Sequence, residues 1–134
     1  MKEAILNLLK SDNFLTNFDF AVESAEPGHL GLSVSLDEKL MRPGDFMNGG
    51  AVMTVLDAAG GLCVMTFGDV ANEVTINMNT NFLRSVKKGP LKINAQVTKR
   101  GRNIIFCKIE LHDGDRKLCA EATGSWLIIK PGDI

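Results

Sequence analysis

The sequence has almost no net charge, few cysteines and histidines, and no long apolar run. Its 15 basic and 16 acidic residues leave a net charge of -1, which argues against nucleic acid or an anionic membrane as a partner. The most apolar stretch, 51–65, is interrupted by Thr54, Asp57 and a glycine pair, so we do not expect it to span a membrane. From the small net charge and the lack of a long apolar run we expect a small cytoplasmic protein.

The cysteines and histidines do not form a recognisable chemical site. Cys63, Cys107 and Cys119 are odd in number and lack the spacing of metal ligands, so we interpret them as reduced core residues of a cytosolic protein. His29 and His112 lie beside turn residues, and their spacing to acids and serines does not support a hydrolase triad. We therefore expect neither a metal site nor a redox cofactor.

The length and composition suit one folded domain covering residues 1–134. With 45% hydrophobic and 23% charged residues, the chain has enough apolar material for a core. The first ten residues are apolar with Glu3 and Asn7 interspersed, and no cleavage site follows them. This pattern predicts a short amphipathic N-terminal helix and not a signal peptide.

A buried helix is predicted to begin after Asn48, whose amide oxygen can accept a hydrogen bond from the first helical turn. The segment that follows is apolar nearly all round, which is typical of a helix buried on every side. One stripe differs, because Gly50, Thr54, Asp57 and Gly61 share a face at helical spacing. Small residues there leave room for a ligand or another backbone beside the carboxylate.

Asp57 is the most informative residue of this segment. Burying a charge without a partner costs several kcal/mol, roughly, so a carboxylate among apolar neighbours needs a reason. A structural role, with a hydrogen bond to Thr54 or to a neighbouring chain, is one interpretation. A chemical role is the other, and the residues alone leave both open.

The remaining segments alternate between polar and apolar residues with the two-residue period of strands. One strand is expected at 29–36, followed by a loop at 37–47 that contains Pro43-Gly44. Four consecutive strands with short turns, predicted as an antiparallel meander, lie at 74–82, 91–97, 105–111 and 118–128. A sheet around one apolar helix covers only part of it, so we expect at least a dimer.

Two groups of residues resemble a known family. They are Asn48-Gly49-Gly50 with Leu56-Asp57, and Thr75-x-Asn77-x-Asn79-x-x-Phe82-Leu83-Arg84 followed by Gly89, Gly101-Arg102 and Leu118-x-Ala120-x-Ala122-x-Gly124. The order and spacing of these motifs resemble those of the hotdog-fold acyl-CoA thioesterases, in the branch around the phenylacetate-pathway thioesterases. The resemblance covers about residues 28–130.

The resemblance implies an α+β hotdog fold, with an antiparallel sheet of about five to six strands wrapped around one long central helix, plus the short N-terminal helix. It implies hydrolysis of an acyl-CoA thioester to a carboxylic acid and CoA. Asp57 would act as general base or nucleophile, the Gly49 N–H would bind the oxyanion, and Asn48 would orient the thioester carbonyl. No cofactor beyond the CoA of the substrate is implied, and the expected assembly is a homodimer or a dimer of dimers.

The resemblance also implies that CoA lies across the subunit junction. The residues predicted to contact substrate or CoA are Gly50, Thr54, Thr75, Asn77, Phe82, Arg84, Lys99, Arg100, Gly101, Arg102 and Asn103. The three cations of the turn at 99–103 suit CoA phosphates, although such a turn is equally typical of a solvated hairpin tip. We expect Thr75 and Asn77 to share one face of their strand and to face the partner's active site.

Two positions depart from the family pattern. Asn48 stands where the family usually has histidine, and an amide cannot carry a proton at neutral pH. Arg42 stands where many members have asparagine. An alternative function is therefore a hotdog module that binds acyl-CoA or another lipid-like ligand without turnover. A hydratase or dehydratase is a weaker hypothesis, because that chemistry usually requires a histidine paired with an acid.

Overall fold

A six-stranded antiparallel sheet packs against one long helix in the structure, a computed structural model that describes residues 1–133. The helices are α1 (Lys2–Ser11) and α2 (Gly49–Val64). The strands of the sheet are β1 (Phe20–Glu26), β2 (His29–Val34), β5 (Asn72–Phe82), β6 (Leu91–Arg100), β7 (Ile104–His112) and β8 (Leu118–Ile129). A small hairpin, β3 (Met41–Arg42) with β4 (Phe46–Met47), precedes α2. This architecture confirms the α+β hotdog fold and the short N-terminal helix.

The strand order β1-β2-β6-β7-β8-β5 corrects the predicted meander of four. Strands β6, β7 and β8 do follow one another as hairpins, but β5 lies beyond β8 at the edge of the sheet. After β5 the chain stays beside β8, since the N–H groups of Leu83 and Arg84 bond to the Cys119 carbonyl at 2.8 and 3.1 Å. It then connects to β6, which pairs with β2.

Strand β1 was not among the predicted strands. A bulge between Val22 and Ser24 interrupts its register with β2. The half-buried positions are consequently Phe20, Val22 and Ala25, which do not follow a two-residue period. The predicted loop 37–47 likewise contains the β3–β4 hairpin, whose turn uses Gly44 at φ +99°.

Helix α2 begins where the sequence predicts it. The Asn48 side chain accepts a hydrogen bond from the Ala51 N–H at 3.1 Å, so Asn48 is the N-cap. The expectation of burial on every side is wrong for the first turns, because Gly49, Gly50 and Met53 are exposed. The helix is largely buried from Val55 onward, with Asp57 half-buried among these residues.

Two consecutive glycines allow the sheet to approach α2 closely. A Cβ atom at position 60 would lie 2.3 Å from the ring of Trp126, a fully buried side chain on β8. A Cβ atom at position 61 would lie 2.7 Å from the Glu73 carboxyl group on β5. The glycines that reduce helix propensity are therefore explained by close packing against β8 and β5.

The three cysteines are buried free thiols, in agreement with their interpretation as core residues. The Cys107 Sγ lies 3.8 Å from the Gly60 carbonyl oxygen, and the Cys63 Sγ lies 3.6 Å from the Ala95 carbonyl oxygen. The neighbouring Cys63 and burial both raise the pKa of the Cys107 thiol. The Cys107 thiol therefore remains protonated at neutral pH. Within residues 1–133, neither helix has the length and hydropathy needed to cross a bilayer.

The Gly60–Trp126 contact predicts a specific loss of stability. We expect Gly60→Ala to lower the free energy of unfolding by about 2 kcal/mol, because the added methyl group overpacks the core against the indole ring. The measurement is chemical denaturation at one fixed protein concentration. Gly68→Ala is the matched control, since a Cβ atom there meets nothing within 4 Å. Equal stability of the two variants would contradict the close-packing role of Gly60.

Candidate active site

The Asp57 carboxylate is held by a hydrogen bond between the helix and the sheet. Thr75 on β5 donates its hydroxyl proton to Asp57 Oδ1 at 2.7 Å. The predicted alternative partner, Thr54, donates its own hydroxyl proton to the Gly50 carbonyl at 2.9 Å. One carboxylate oxygen is thus oriented by Thr75, and no hydrogen bond to Oδ2 occurs within residues 1–133.

Asp57 opens onto a cavity of about 540 Å³ between α2, the start of β5 and the N-terminal segment. Apolar side chains form much of its wall, and they are Leu8, Phe14, Leu15, Ala58, Leu62 and Met65. Its carboxyl groups belong to Asp12, Asp57 and Glu73, and no lysine or arginine of the described chain lines it. The cavity therefore combines polar and apolar walls without a cation, and suits an uncharged group beside an acid.

Glu73 is the functional candidate that sequence reasoning missed. It lies two residues before Thr75 on the same helix-facing side of β5, and its carboxyl group fits against Gly61. Burial, together with the nearby negative charge of Asp57, raises the pKa of Glu73 to about 7. The sequence did contain a signal for Glu73, because it lies two residues before Thr75 and therefore on the same face of the strand.

A second cavity, of about 350 Å³, lies at the other end of α2. Gly49 lines it, and Phe82, Arg84 and Arg42 surround the same space. The guanidinium group of Arg42 stacks on the Phe46 ring at 4.6 Å. The Gly49 N–H belongs to the first helical turn, where backbone donors have no acceptor within the helix. This cavity thus combines an open backbone donor with two cations.

The two predicted catalytic groups do not meet within one subunit. Asp57 and Gly49 are eight residues apart on one helix, which is about 12 Å along its axis. They also open onto different cavities. Asn48 is confirmed as the helix cap, and its amide oxygen is occupied by the Ala51 N–H. A single chain therefore cannot present both Asp57 and Gly49 to one carbonyl group.

A β-bulge in β5 corrects the expectation that Thr75 and Asn77 share a face. The register with β8 shifts between these two residues. Thr75 points toward α2 and bonds Asp57, whereas Asn77 accepts a hydrogen bond from Asn79 at 3.2 Å. Met78, between the two asparagines, packs against the core. Asn77 therefore lies on the outer face of the sheet, away from Asp57.

The basic turn at 99–103 forms the tip of the β6–β7 hairpin. Arg100 is engaged there, because its guanidinium group pairs with both carboxylate oxygens of Asp69, at 3.1 and 2.5 Å, and stacks on Phe67. The hydrogen bond from Arg100 lowers the pKa of Asp69. Lys99 and Arg102 are exposed. Of the other two predicted residues, Gly101 donates its N–H to the Ile104 carbonyl across the turn, and the Asn103 carbonyl accepts the Ile128 N–H of β8.

In the part of the chain that the structure describes, no three His, Cys, Asp or Glu side chains cluster closely enough to hold a metal ion.

The environment of Glu73 predicts a pH-dependent stability. A carboxyl group whose pKa is raised from 4.5 to about 7 on folding stabilises the folded state fully below pH 4.5. That contribution is lost as the pH rises through about 7. Relative to Glu73→Gln, the free energy of unfolding of the unmodified protein should fall by about 1–3 kcal/mol between pH 4.5 and pH 8.

Denaturation of both proteins across this pH range measures the difference. Glu3→Gln, at an exposed position of α1, controls for the loss of one negative charge. If the free energy of unfolding of the unmodified protein and that of Glu73→Gln differ by the same amount at every pH, the Glu73 carboxyl group titrates in an ordinary, solvated environment.

Comparison with known proteins identifies the family to which this chain is similar. Residues 44–120 match the model of the thioesterase superfamily. A Thermoplasma acidophilum protein that is provisionally named an esterase is 40% identical over 128 residues, which are 96% of this chain and 97% of that protein.

Two solved structures show the same architecture at low identity. Zebrafish thioesterase superfamily member 2 has a TM-score of 0.84 and 26% identity, with 96% of this chain and 95% of that chain covered. A Streptococcus mutans protein solved with acetyl CoA bound has a TM-score of 0.78 and 25% identity, with 84% and 90% covered. The acid on the buried helix, the open helix N-terminus and these matches lead to one conclusion: the chain belongs to the thioesterase superfamily.

Proposed function

We propose that this protein hydrolyses an acyl-CoA thioester to a carboxylic acid and CoA, with Asp57 as the general base or nucleophile. The observation that carries the proposal is the Asp57–Thr75 hydrogen bond at the wall of a cavity. It holds one carboxylate oxygen and leaves the other to meet water or the thioester carbon. Membership of the thioesterase superfamily supports the hydrolysis of a thioester.

In the general-base form of the reaction, Asp57 accepts a proton from water as the water oxygen attacks the carbonyl carbon. Negative charge develops on the carbonyl oxygen, and the Gly49 N–H donates a hydrogen bond to it. The partial positive charge at the start of α2 favours that anion. The carbon–sulfur bond then breaks, and CoA leaves as a thiolate. Asn48 contributes by capping the helix that presents this donor.

The separation of Asp57 from Gly49 supports a site made by two subunits. If two copies of α2 lie antiparallel about a two-fold axis, Asp57 of one copy approaches Gly49 of the other. Each dimer then has two equivalent sites. In this arrangement the open cavities at the two ends of α2 become parts of one substrate channel.

Strand β5 supports the same dimer. It is an edge strand of 11 residues that pairs with β8 on only one side. Val74, Ile76 and Phe82 on this strand are 51–53% exposed. A long edge strand with exposed apolar side chains invites pairing with another chain. The dimer we propose pairs β5 with its two-fold copy, and a dimer of dimers remains compatible with it.

The charges of the two cavities orient the substrate. The Asp57 cavity carries three acids and would repel phosphates, so we assign it to the acyl group. The Gly49 cavity carries Arg42 and Arg84 and suits the CoA part. The S. mutans relative solved with acetyl CoA supports a CoA ligand. Lys99 and Arg102 are exposed and available for CoA phosphates, whereas Arg100 is already paired with Asp69.

A second candidate function is acyl-CoA binding without turnover. The observation that favours it is Asn48, whose amide oxygen is engaged in the helix cap and whose side chain carries no transferable proton. This function predicts tight acyl-CoA binding by calorimetry with no release of free thiol. Thiol release by the unmodified protein therefore separates the two candidates.

The catalytic assignment predicts the effect of two substitutions on thiol release from a panel of short, medium and aromatic acyl-CoAs. We expect Asp57→Asn to lower kcat by about 10²–10⁴-fold, because the base is lost. We expect Gly49→Pro to lower kcat by about 10²-fold, because it removes the oxyanion donor. Proline suits the first position of a helix, and Asn48 has the extended backbone (ψ 133°) that a following proline requires.

Matched controls separate these effects from damage to the fold. Gly49→Ala keeps the N–H group, and its Cβ atom makes only ordinary contacts of 3.9 Å with Phe82. Asp115→Asn removes a carboxylate that pairs with Lys88 on the surface. Asp115→Asn should stay within about twofold of the unmodified kcat, as expected for a surface change. Gly49→Ala should retain clearly more activity than Gly49→Pro, because only the proline variant loses the N–H group. Full activity of Asp57→Asn on a good substrate would refute the assignment.

The two-subunit site predicts complementation between inactive variants. Asp57→Asn and Gly49→Pro subunits, unfolded and refolded together, should form mixed dimers with one intact site of two. Random mixing then restores about a quarter of the unmodified activity, as the symmetry of a two-site dimer requires. The free-thiol assay on the mixture and on each variant alone is the measurement. A mixture no more active than its components would contradict a site shared between Asp57 of one subunit and Gly49 of the other.

A further inference from the structure

Glu73 occupies a position that the proposed reaction does not use. Its carboxyl group lies in the same cavity as Asp57, on the same face of β5 as Thr75. The absence of a side chain at Gly61 makes room for it, since a Cβ atom there would lie 2.7 Å from its Oε1. The helix and the strand are thus shaped around a second carboxyl group, further along the helix than Asp57.

This carboxyl group has no partner in the described chain. It forms no side-chain hydrogen bond and no ion pair within residues 1–133. The titratable groups that face it are Asp57 on α2, Asp12 after α1 and the Cys107 thiol on β7, which lies beside Cys63. None of them is positively charged. Its oxygens are not among the fully buried unpaired atoms of the described residues, so they are accessible from the cavity and can contact a group bound there.

We propose that Glu73 determines acyl-group specificity, by admitting acyl groups with an uncharged far end and rejecting those that end in a carboxylate. The inference deepens the proposed function and rests on it, because it takes the Asp57 cavity to hold the acyl group. A terminal carboxylate in this cavity would meet Asp57, Asp12 and Glu73 without a cation to offset the repulsion. An alkyl or aryl end would instead contact the apolar wall.

The rejection is expected to depend on pH. Burial and the charge of Asp57 raise the pKa of Glu73 to about 7. Below that pH the group is an uncharged carboxylic acid that can donate a hydrogen bond, even to a substrate carboxylate. Above it the group is an anion that repels one. Discrimination against acyl carboxylates should therefore strengthen as the pH rises through about 7.

The test compares pentanoyl-CoA with glutaryl-CoA, which have acyl chains of equal length and differ in the terminal carboxylate. In the unmodified protein, the ratio of kcat/KM for pentanoyl-CoA to that for glutaryl-CoA should rise about tenfold from pH 6 to pH 8, as expected when one like charge appears nearby. In Glu73→Gln, which is uncharged at every pH, the ratio should be smaller and flat.

Asp12→Asn is the matched control, because it removes a charge from the same cavity and leaves Glu73 in place. It should lower the ratio while preserving its rise with pH. If Glu73→Gln keeps the rise, or if the unmodified protein prefers glutaryl-CoA, the specificity role of Glu73 is wrong while the thioesterase function stands.

If neither thioester is hydrolysed, the thioesterase function is wrong for these substrates. A binding measurement then still tests the role of Glu73. The dissociation constants of the thioethers S-pentyl-CoA and S-(4-carboxybutyl)-CoA, measured by calorimetry at pH 6 and pH 8, should still show the rising preference in the unmodified protein and its loss in Glu73→Gln. Equal, pH-independent binding of both thioethers would overturn the role of Glu73.

Discussion

The close approach of α2 to the sheet at Gly60 and Gly61 is the constraint on which the site depends. The Trp126 ring fills the space at Gly60, and the Glu73 carboxyl group fills the space at Gly61. One turn earlier on the same helix, Asp57 is near enough to β5 to accept the Thr75 hydroxyl proton. A side chain at Gly60 would press on the Trp126 ring and force the helix away from β8, whereas one at Gly61 would displace the Glu73 carboxyl group.

The same helix explains why one chain provides only half of the proposed chemistry. A base and an oxyanion donor about 12 Å apart cannot act on one carbonyl group. An antiparallel pair of such helices would bring unlike ends together, so the proposed symmetric dimer would join what the single chain separates. We propose that this pairing uses the partly apolar edge of β5, which bonds to no other strand of the described residues on its outer side. The pKa of Glu73 is raised by burial and by the charge of Asp57, and such perturbed groups are typical of functional sites.

Much of the local structure was predictable from the sequence. The Asn48 cap and the apolar run after it predict α2, and strict alternation predicts β6, β7 and β8. Asp57 was recognisable as an acid in an apolar segment. Strand β1 and the outward turn of Asn77 were not predictable, because a bulge in each strand changes the face on which later side chains lie. The edge position of β5 was also missed, since strand order depends on pairing between distant segments.

By itself the sequence determined which helices and strands form and which reactive groups the chain carries, because caps and periodicity act between residues a few positions apart. Only the tertiary structure decided which groups become neighbours. It placed Glu73 beside Asp57, engaged Arg100 with Asp69, and left Gly49 at the far end of α2 from the acid. These relations depend on how strands pair and how closely the helix packs on them. Such contacts join residues far apart in the chain, and no short sequence pattern encodes them.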